Sequence, residues 1–297
     1  MVLIPAVGLT LLGFYVLFGL ALVYMATRPE ERKPFEQMPA DFGLSVEEVT
    51  FTPRGGELKL QGWLLPGAEG APYLIFVHGI NSQRTNAKAV ELASRLVHES
   101  GYNVLMFDLR AHGTSEGSKV TAGQEERDDV LGAYDFALSR GAVPGRIGLV
   151  GQSYGAGIAI MAAALEPGVV AIVADSPFTS VEDKAASEVA LRTPIPEWSV
   201  SLFMPVASVL GDLLYGIKLG ELRPEEDVSK LTYPVLVVHG EADPRTPVEQ
   251  GRRVHAAAPQ GSELWTPPGV EHTKAFEVFP DEYPQRVTAY LALRFTP

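Results

Sequence analysis

Short apolar runs alternating with stretches of helical spacing constrain this chain more than any other feature. Tyr73–Val77 reads Tyr-Leu-Ile-Phe-Val. A run apolar at every position suits a strand covered on both faces. Residues 86–98 then carry Ala89, Ala93, Leu96 and Val97 at helical spacing. A strand is expected at Asn103–Phe107, ending at Asp108, and a helix over 124–140 with Val130, Ala133, Tyr134 and Ala137 on one face. The alternation continues with strands at 147–150 and 169–174 around a helix at 154–165, then strands at 234–238 and Glu263–Trp265 around a helix at Val248–Ala257. A last helix covers 283–295. Ahead of the series, 46–52 and 58–65 read as two strands about the turn Pro53-Arg54-Gly55-Gly56. The class is α/β, with a largely parallel sheet and helices on both of its faces.

One interval breaks this rhythm. Residues 176–231 are too many for a plain crossover. They are apolar around Trp198, Phe203, Met204, Leu210 and Leu213, and are interrupted by Pro194, Pro196 and Pro205. The expectation is a small helical insertion over the C-terminal edge of the sheet, much of it extra core and the rest suited to a lid over an apolar pocket.

Residues 1–27 contain no Asp, Glu, Lys, Arg or His. Such a stretch, at a rise of about 1.5 Å per residue, is long enough for a tilted crossing of a hydrocarbon layer of about 30 Å. A cleaved signal peptide would carry a basic residue ahead of a shorter apolar run, and neither condition holds. Residues 1–27 are therefore expected as a transmembrane anchor, 28–45, with Pro29, Pro34 and Pro39, as a linker, and 46–297 as the globular domain. Arg28, Arg32 and Lys33 follow the span, which favours a single-pass protein of the cell membrane with its domain on the cytoplasmic side.

Composition removes other classes. With no cysteine there is no thiol nucleophile, thiolate zinc site or iron–sulfur cluster. A net charge of -12 leaves no basic surplus for a nucleic-acid backbone. No clustered His and acidic pattern suggests a metal.

The chemistry is carried by Gly151-Gln152-Ser153-Tyr154-Gly155. It stands between a strand and a helix, where a G-x-S-x-G turn lifts its serine at a helix start; the plain alternative is a tight turn with a structural serine. A serine nucleophile needs a base oriented by a third group. His98 and His255 lie in helices, and His78, His112 and His239 each precede a glycine just after a strand, where a role in the turn weighs at least as much as catalysis. His272 is in the loop after the last strand, on the same side of the sheet as Ser153, and is the expected base. Asp243, held in a loop by Pro244 and Pro247, is the expected acid, with Asp175 its rival. The order Ser153, Asp243, His272 suits this elbow type. Two amides are needed for an oxyanion. Tyr154 N–H should be one and Ile80 N–H the other, with Asn81 second, and Gly79 is expected to allow the unusual backbone angles of that loop.

With these residues assembled, residues 46–297 resemble the α/β-hydrolases. The match runs through His78-Gly79, Asp108 to Ser115, the elbow, Ser176-Pro177-Phe178, Gly240 to Asp243 and the His272 loop. The branch most resembled is the membrane-tethered α/β-hydrolase-domain proteins, among them bacterial esterases and eukaryotic depalmitoylating thioesterases. Ala111 departs from the glycine that many relatives carry in this turn. The resemblance implies the α/β-hydrolase fold, an eight-stranded, mostly parallel sheet, and no cofactor. The expected activity is hydrolysis of carboxylic esters or thioesters with acyl or lipid-like groups. The alternatives are a serine aminopeptidase, with Glu182, Asp183 and Glu188 available for a substrate amino group, and a non-catalytic membrane scaffold.

Overall fold

The computed structural model of the chain describes residues 3–29, 34–192 and 194–295. Arg32 and Lys33, on which the expected orientation partly rests, lie outside the described residues.

Eight strands form one sheet: β1 (Glu47–Phe51), β2 (Leu60–Leu65), β3 (Tyr73–Val77), β4 (Asn103–Phe107), β5 (Ile147–Gln152), β6 (Val169–Asp175), β7 (Leu236–Val238) and β8 (Glu263–Trp265). Their order across the sheet is β1-β2-β4-β3-β5-β6-β7-β8. β2 runs antiparallel to both β1 and β4, and every pairing from β4 to β8 is parallel. The helices are α1 (Leu3–Thr27), α2 (Ala87–Ser100), α3 (Glu126–Ser139), α4 (Tyr154–Ala163), α5 (Val181–Arg192), α6 (Glu197–Ser201), α7 (Met204–Tyr215), α8 (Pro224–Val228), α9 (Val248–Ala257), α10 (Ala275–Val278) and α11 (Glu282–Phe295).

The pleat divides the core. From β3, Tyr73, Ile75 and Val77 join one apolar cluster with α3, α4 and α9, while Leu74 and Phe76 join the other with α2 and α11. Alternate side chains of a strand point to opposite faces, so a run that is apolar throughout must be covered twice. The described residues of the interval 176–231 fold as α5 to α8, with a 3₁₀ turn at Leu219–Glu221 between α7 and α8.

The segment after α1 differs from a free tether. Gln83 Nε2 donates to the Pro34 carbonyl, Gln37 N–H donates to the Thr85 carbonyl, and a short 3₁₀ turn at Pro39–Phe42 packs Met38 and Phe42 against the α2 side of the core. Its proline content does suit an open chain, but the apolar residues between the prolines find a face to cover.

Candidate active site

The elbow is built by close approach. Gly155, at the start of α4, passes so near β3 that a Cβ there would lie 2.1 Å from the Val77 carbonyl oxygen. Ser153 takes φ 53° and ψ −117°, a conformation that costs a non-glycine residue on the order of 1–3 kcal/mol. The surroundings hold it, since Ser153 N–H donates to the Asp175 carbonyl at 2.7 Å. Its hydroxyl is thereby raised at the N-terminal end of α4.

Three loops at the C-terminal edge of the parallel strands meet here. His272 Nε2 lies 2.7 Å from Ser153 Oγ, and His272 Nδ1 lies 2.6 Å from Asp243 Oδ2. With Nδ1 donating to the carboxylate, Nε2 is left to accept the serine proton. Asp243 Oδ1 accepts the N–H groups of Arg245 and Thr246, each at 2.9 Å. Burial pushes the Asp243 carboxyl up, but hydrogen bonding from His239 and His272 and from the Thr246 amide outweighs it and holds the group well below the usual carboxylate range. Asp243 thus carries its charge beneath His272.

Asp175, the rival acid, faces elsewhere. Its carboxylate accepts from Ser176 Oγ at 3.0 Å and Tyr283 Oη at 3.1 Å, and burial pushes its pKa up. It braces the base loop at one remove, because Ser176 Oγ also accepts the Thr273 N–H at 3.2 Å.

The loop after β3 runs alongside the elbow. Gly79 lies against it, with the position of a Cβ 3.3 Å from the Gln152 carbonyl oxygen and 3.4 Å from the Ser153 Cβ. The left-handed residue of this loop is Asn81, at φ 61°, and not Gly79 as expected. Asparagine tolerates that region better than most residues, and glycine at 79 serves close approach. Ile80 is half-buried at the rim of the core that holds α4, and Tyr154 opens α4 directly after Ser153.

Two supports, Arg84 and Lys184, escape the sequence reading, and a third, His239, is expected there as a turn residue. Arg84 is the single charged residue between Gly79 and Ala87, and it is buried. It forms an ion pair with buried Asp108, donates to Thr114 Oγ1 at 2.9 Å and stacks on Trp63 at 4.8 Å, which bolts the loop after β3 to the turn after β4. His239 donates through Nε2 to the Thr246 carbonyl at 2.8 Å, with Asp243 Oδ2 3.4 Å away. Lys184 of α5 donates to the Arg245 carbonyl and to Thr246 Oγ1, and pairs with Glu188, so the insertion grips the loop that carries Asp243. The one available signal was an isolated charge in an otherwise neutral or apolar segment.

His78 and His112 are turn residues, as expected. His78 Nδ1 donates to the Gly79 carbonyl at 2.8 Å and Nε2 accepts the Leu109 N–H at 3.0 Å. Burial, with smaller contributions from His112 and Arg84, pulls its pKa down to about 3.

A crossover sheet with a serine elbow, and an acid and a histidine on the next loops, defines a hydrolase class. Residues 57–202 match the family of X-Pro dipeptidyl-peptidases (S15 family), and 218–292 match the TAP-like protein family. The uncharacterized protein YfhR of Salmonella typhimurium is 30% identical over 263 residues, covering 83% of this chain and 80% of that protein. The lysophosphatidylserine lipase ABHD12 of Danio rerio is 28% identical over 199 residues, covering 65% of this chain and 49% of that protein. Among solved structures, the Pyrococcus furiosus esterase Pf2001 superposes with a TM-score of 0.72 at 26% identity, covering 90% of this chain and 97% of that one. The chain belongs to the α/β-hydrolase superfamily, among relatives of esterase and lipase type.

Proposed function

We propose that the protein is a membrane-anchored serine hydrolase of carboxylic esters or thioesters, with Ser153 as nucleophile, His272 as base and Asp243 as orienting acid. The observation that carries this reading is the pair of contacts from one imidazole, 2.7 Å to Ser153 Oγ and 2.6 Å to Asp243 Oδ2. In this mechanism His272 takes the hydroxyl proton as Ser153 attacks the acyl carbonyl, and the ionised Asp243 stabilises the imidazolium. The amides of Tyr154 and Ile80 receive the oxyanion. His272 returns the proton to the leaving group, and water then cleaves the acyl-enzyme with His272 again as base.

The anchor reading rests on α1, whose span Val7–Thr27 has a mean hydropathy of 2.1. We divide the chain into an anchor (1–27), a linker (28–45) and a catalytic domain (46–297) with a lid at 176–231, and place the domain on the cytoplasmic side. An anchored enzyme beneath an apolar insertion favours acyl or lipid-like substrates, and kinship with a lysophosphatidylserine lipase supports that class.

Ser153→Ala should lower kcat on a p-nitrophenyl acyl ester by roughly 10⁶, by analogy with other triads; full activity in this variant would falsify the mechanism. In a series of esters from acetyl to palmitoyl, turnover should extend to the longer chains. An optimum confined to acetyl counts against an apolar acyl site.

The aminopeptidase reading draws support from the X-Pro dipeptidyl-peptidase family match. Against it, the three acids weighed for a substrate amino group are already engaged. Glu188 pairs with Lys184 and Arg245, Asp183 accepts from Thr179 Oγ1, and Glu182 lies 3.8 Å from Arg223. Aminoacyl amides should therefore be turned over far more slowly than esters, and the reverse ranking in a substrate panel favours the peptidase.

A further inference from the structure

Helix α1 does not stand free of the domain. Phe203, at the start of α7, is surrounded by Phe14, Tyr15 and Phe18, with ring centroids 4.2–6.1 Å apart. Tyr15 Oη donates to the Leu202 carbonyl at 3.0 Å. Further along, Gly19 presses on α7 so closely that a Cβ would lie 2.7 Å from Val206 Cγ1. Tyr15 meets Leu202 and Gly19 meets Val206 and Ala207, so the two helices run side by side in the same direction. Near its C-terminal end Leu22, Val23 and Thr27 of α1 are buried against the domain while Tyr24 and Met25 stay exposed, and the Thr27 carbonyl accepts the Val120 N–H.

A length argument follows. The apolar span Val7–Thr27 is about 30 Å long at 1.5 Å per residue, the thickness of a hydrocarbon layer, and the residues that touch α7, Phe14 to Gly19, lie in its middle. If α1 spans the bilayer while keeping these contacts, the N-terminal part of α7 has to enter the hydrocarbon with it.

The surface of α7 suits that position. Leu202, Val209 and Leu213 are between 60% and 77% exposed, and Asp212 is the single charge between Glu197 and Lys218. Both helices end in the same kind of group. Tyr24 of α1 carries Arg28 5.7 Å from its ring, and Tyr215 of α7 carries Lys119 4.8 Å from its ring. Tyrosine beside a cation is the composition of a membrane–water boundary. One level through Tyr24 and Tyr215 leaves the exposed apolar residues on the lipid side, with Arg28, Lys119 and Lys218 at the headgroups.

We propose that α7 of the insertion is immersed in the lipid leaflet beside α1, so that the two helices form one membrane-embedded unit and the insertion faces lipid rather than water. This rests on the anchor reading above. A bound substrate could then reach the insertion from the leaflet without crossing water.

The absence of cysteine makes the test direct. The full chain, reconstituted in phosphatidylcholine–phosphatidylglycerol vesicles, is spin-labelled in separate variants at Leu11→Cys, Leu202→Cys, Val209→Cys and, as an aqueous reference, Glu57→Cys. The ratio of oxygen to nickel-chelate accessibility should be at least several-fold higher at positions 11, 202 and 209 than at 57. A high ratio at 11 with values at 202 and 209 equal to that at 57 overturns the immersion of α7 and leaves the anchor standing. An aqueous value at 11 overturns the anchor itself, and this inference with it.

Discussion

Ser153 at φ 53° and Ala111 at φ 60° are both non-glycine residues in the left-handed half of backbone space, and for different reasons. At Ser153 the angle projects the hydroxyl toward His272. Ala111 touches none of the reacting groups, and it occupies the turn position where relatives are expected to carry glycine. Replacing it should relieve strain, so Ala111→Gly is expected to stabilise the fold by about 1 kcal/mol, a rise in Tm of about 2–4 °C. An unchanged or lower Tm contradicts that account. His78 supplies a second test. Its pKa falls from 6.5 to about 3 on burial, so the unfolded chain binds a proton that the folded one does not. Stability from this source is present above pH 6.5 and is lost as pH falls from there toward 3. The Tm of the parent should therefore drop more steeply between pH 7 and pH 4.5 than that of His78→Gln, and equal slopes would remove His78 from the explanation. Such residues are poorly legible in sequence: a histidine before a glycine reads the same whether it titrates or is locked neutral.

At the level of elements, legibility followed burial. β3, β4 and β8 match their expected bounds because each apolar run ends where its strand ends, and α9 is bounded by Pro247 in the same way. Residues 34–44 were harder to read, since prolines and charges mask the few apolar residues that pack. The contact of α1 with α7 was hidden for a different reason. An uncharged helix looks the same facing lipid or protein; the Phe203 cluster, the Tyr15–Leu202 hydrogen bond and the approach of Gly19 to Val206 mark the face that meets protein. The loop after β3 was read for its amides and not for what holds it. Arg84 and Asp108 are a buried pair, and removing one partner leaves an uncompensated charge. Arg84→Met is expected to cost about 3–5 kcal/mol, seen as a lower urea midpoint. A midpoint equal to the parent's would show that the loop is held without this pair.

Across the whole molecule, the sheet explains why residues as distant in sequence as Ser153, Asp243 and His272 meet. Parallel strands deliver their following loops to one edge, and the neighbouring order β5-β6-β7-β8 brings the elbow, the Asp243 loop and the His272 loop side by side. The three candidates were legible from the motif and from their places after strands. The network beneath them, through Lys184 and Asp175, depends on contacts between separate elements that no local pattern encodes. The same architecture joins the edge that carries Ser153, Asp243 and His272 to the insertion and the insertion to α1, so the candidate site and the candidate membrane span belong to one packed unit. The central claim is that Ser153 is a nucleophile activated by His272. Intact-protein mass spectrometry after exposure to a fluorophosphonate probe tests it most directly. The account predicts a single adduct, mapped to Ser153, that is absent from Ser153→Ala and forms far more slowly in His272→Ala. Absence of an adduct on the parent chain, or an adduct that persists in Ser153→Ala, would contradict it.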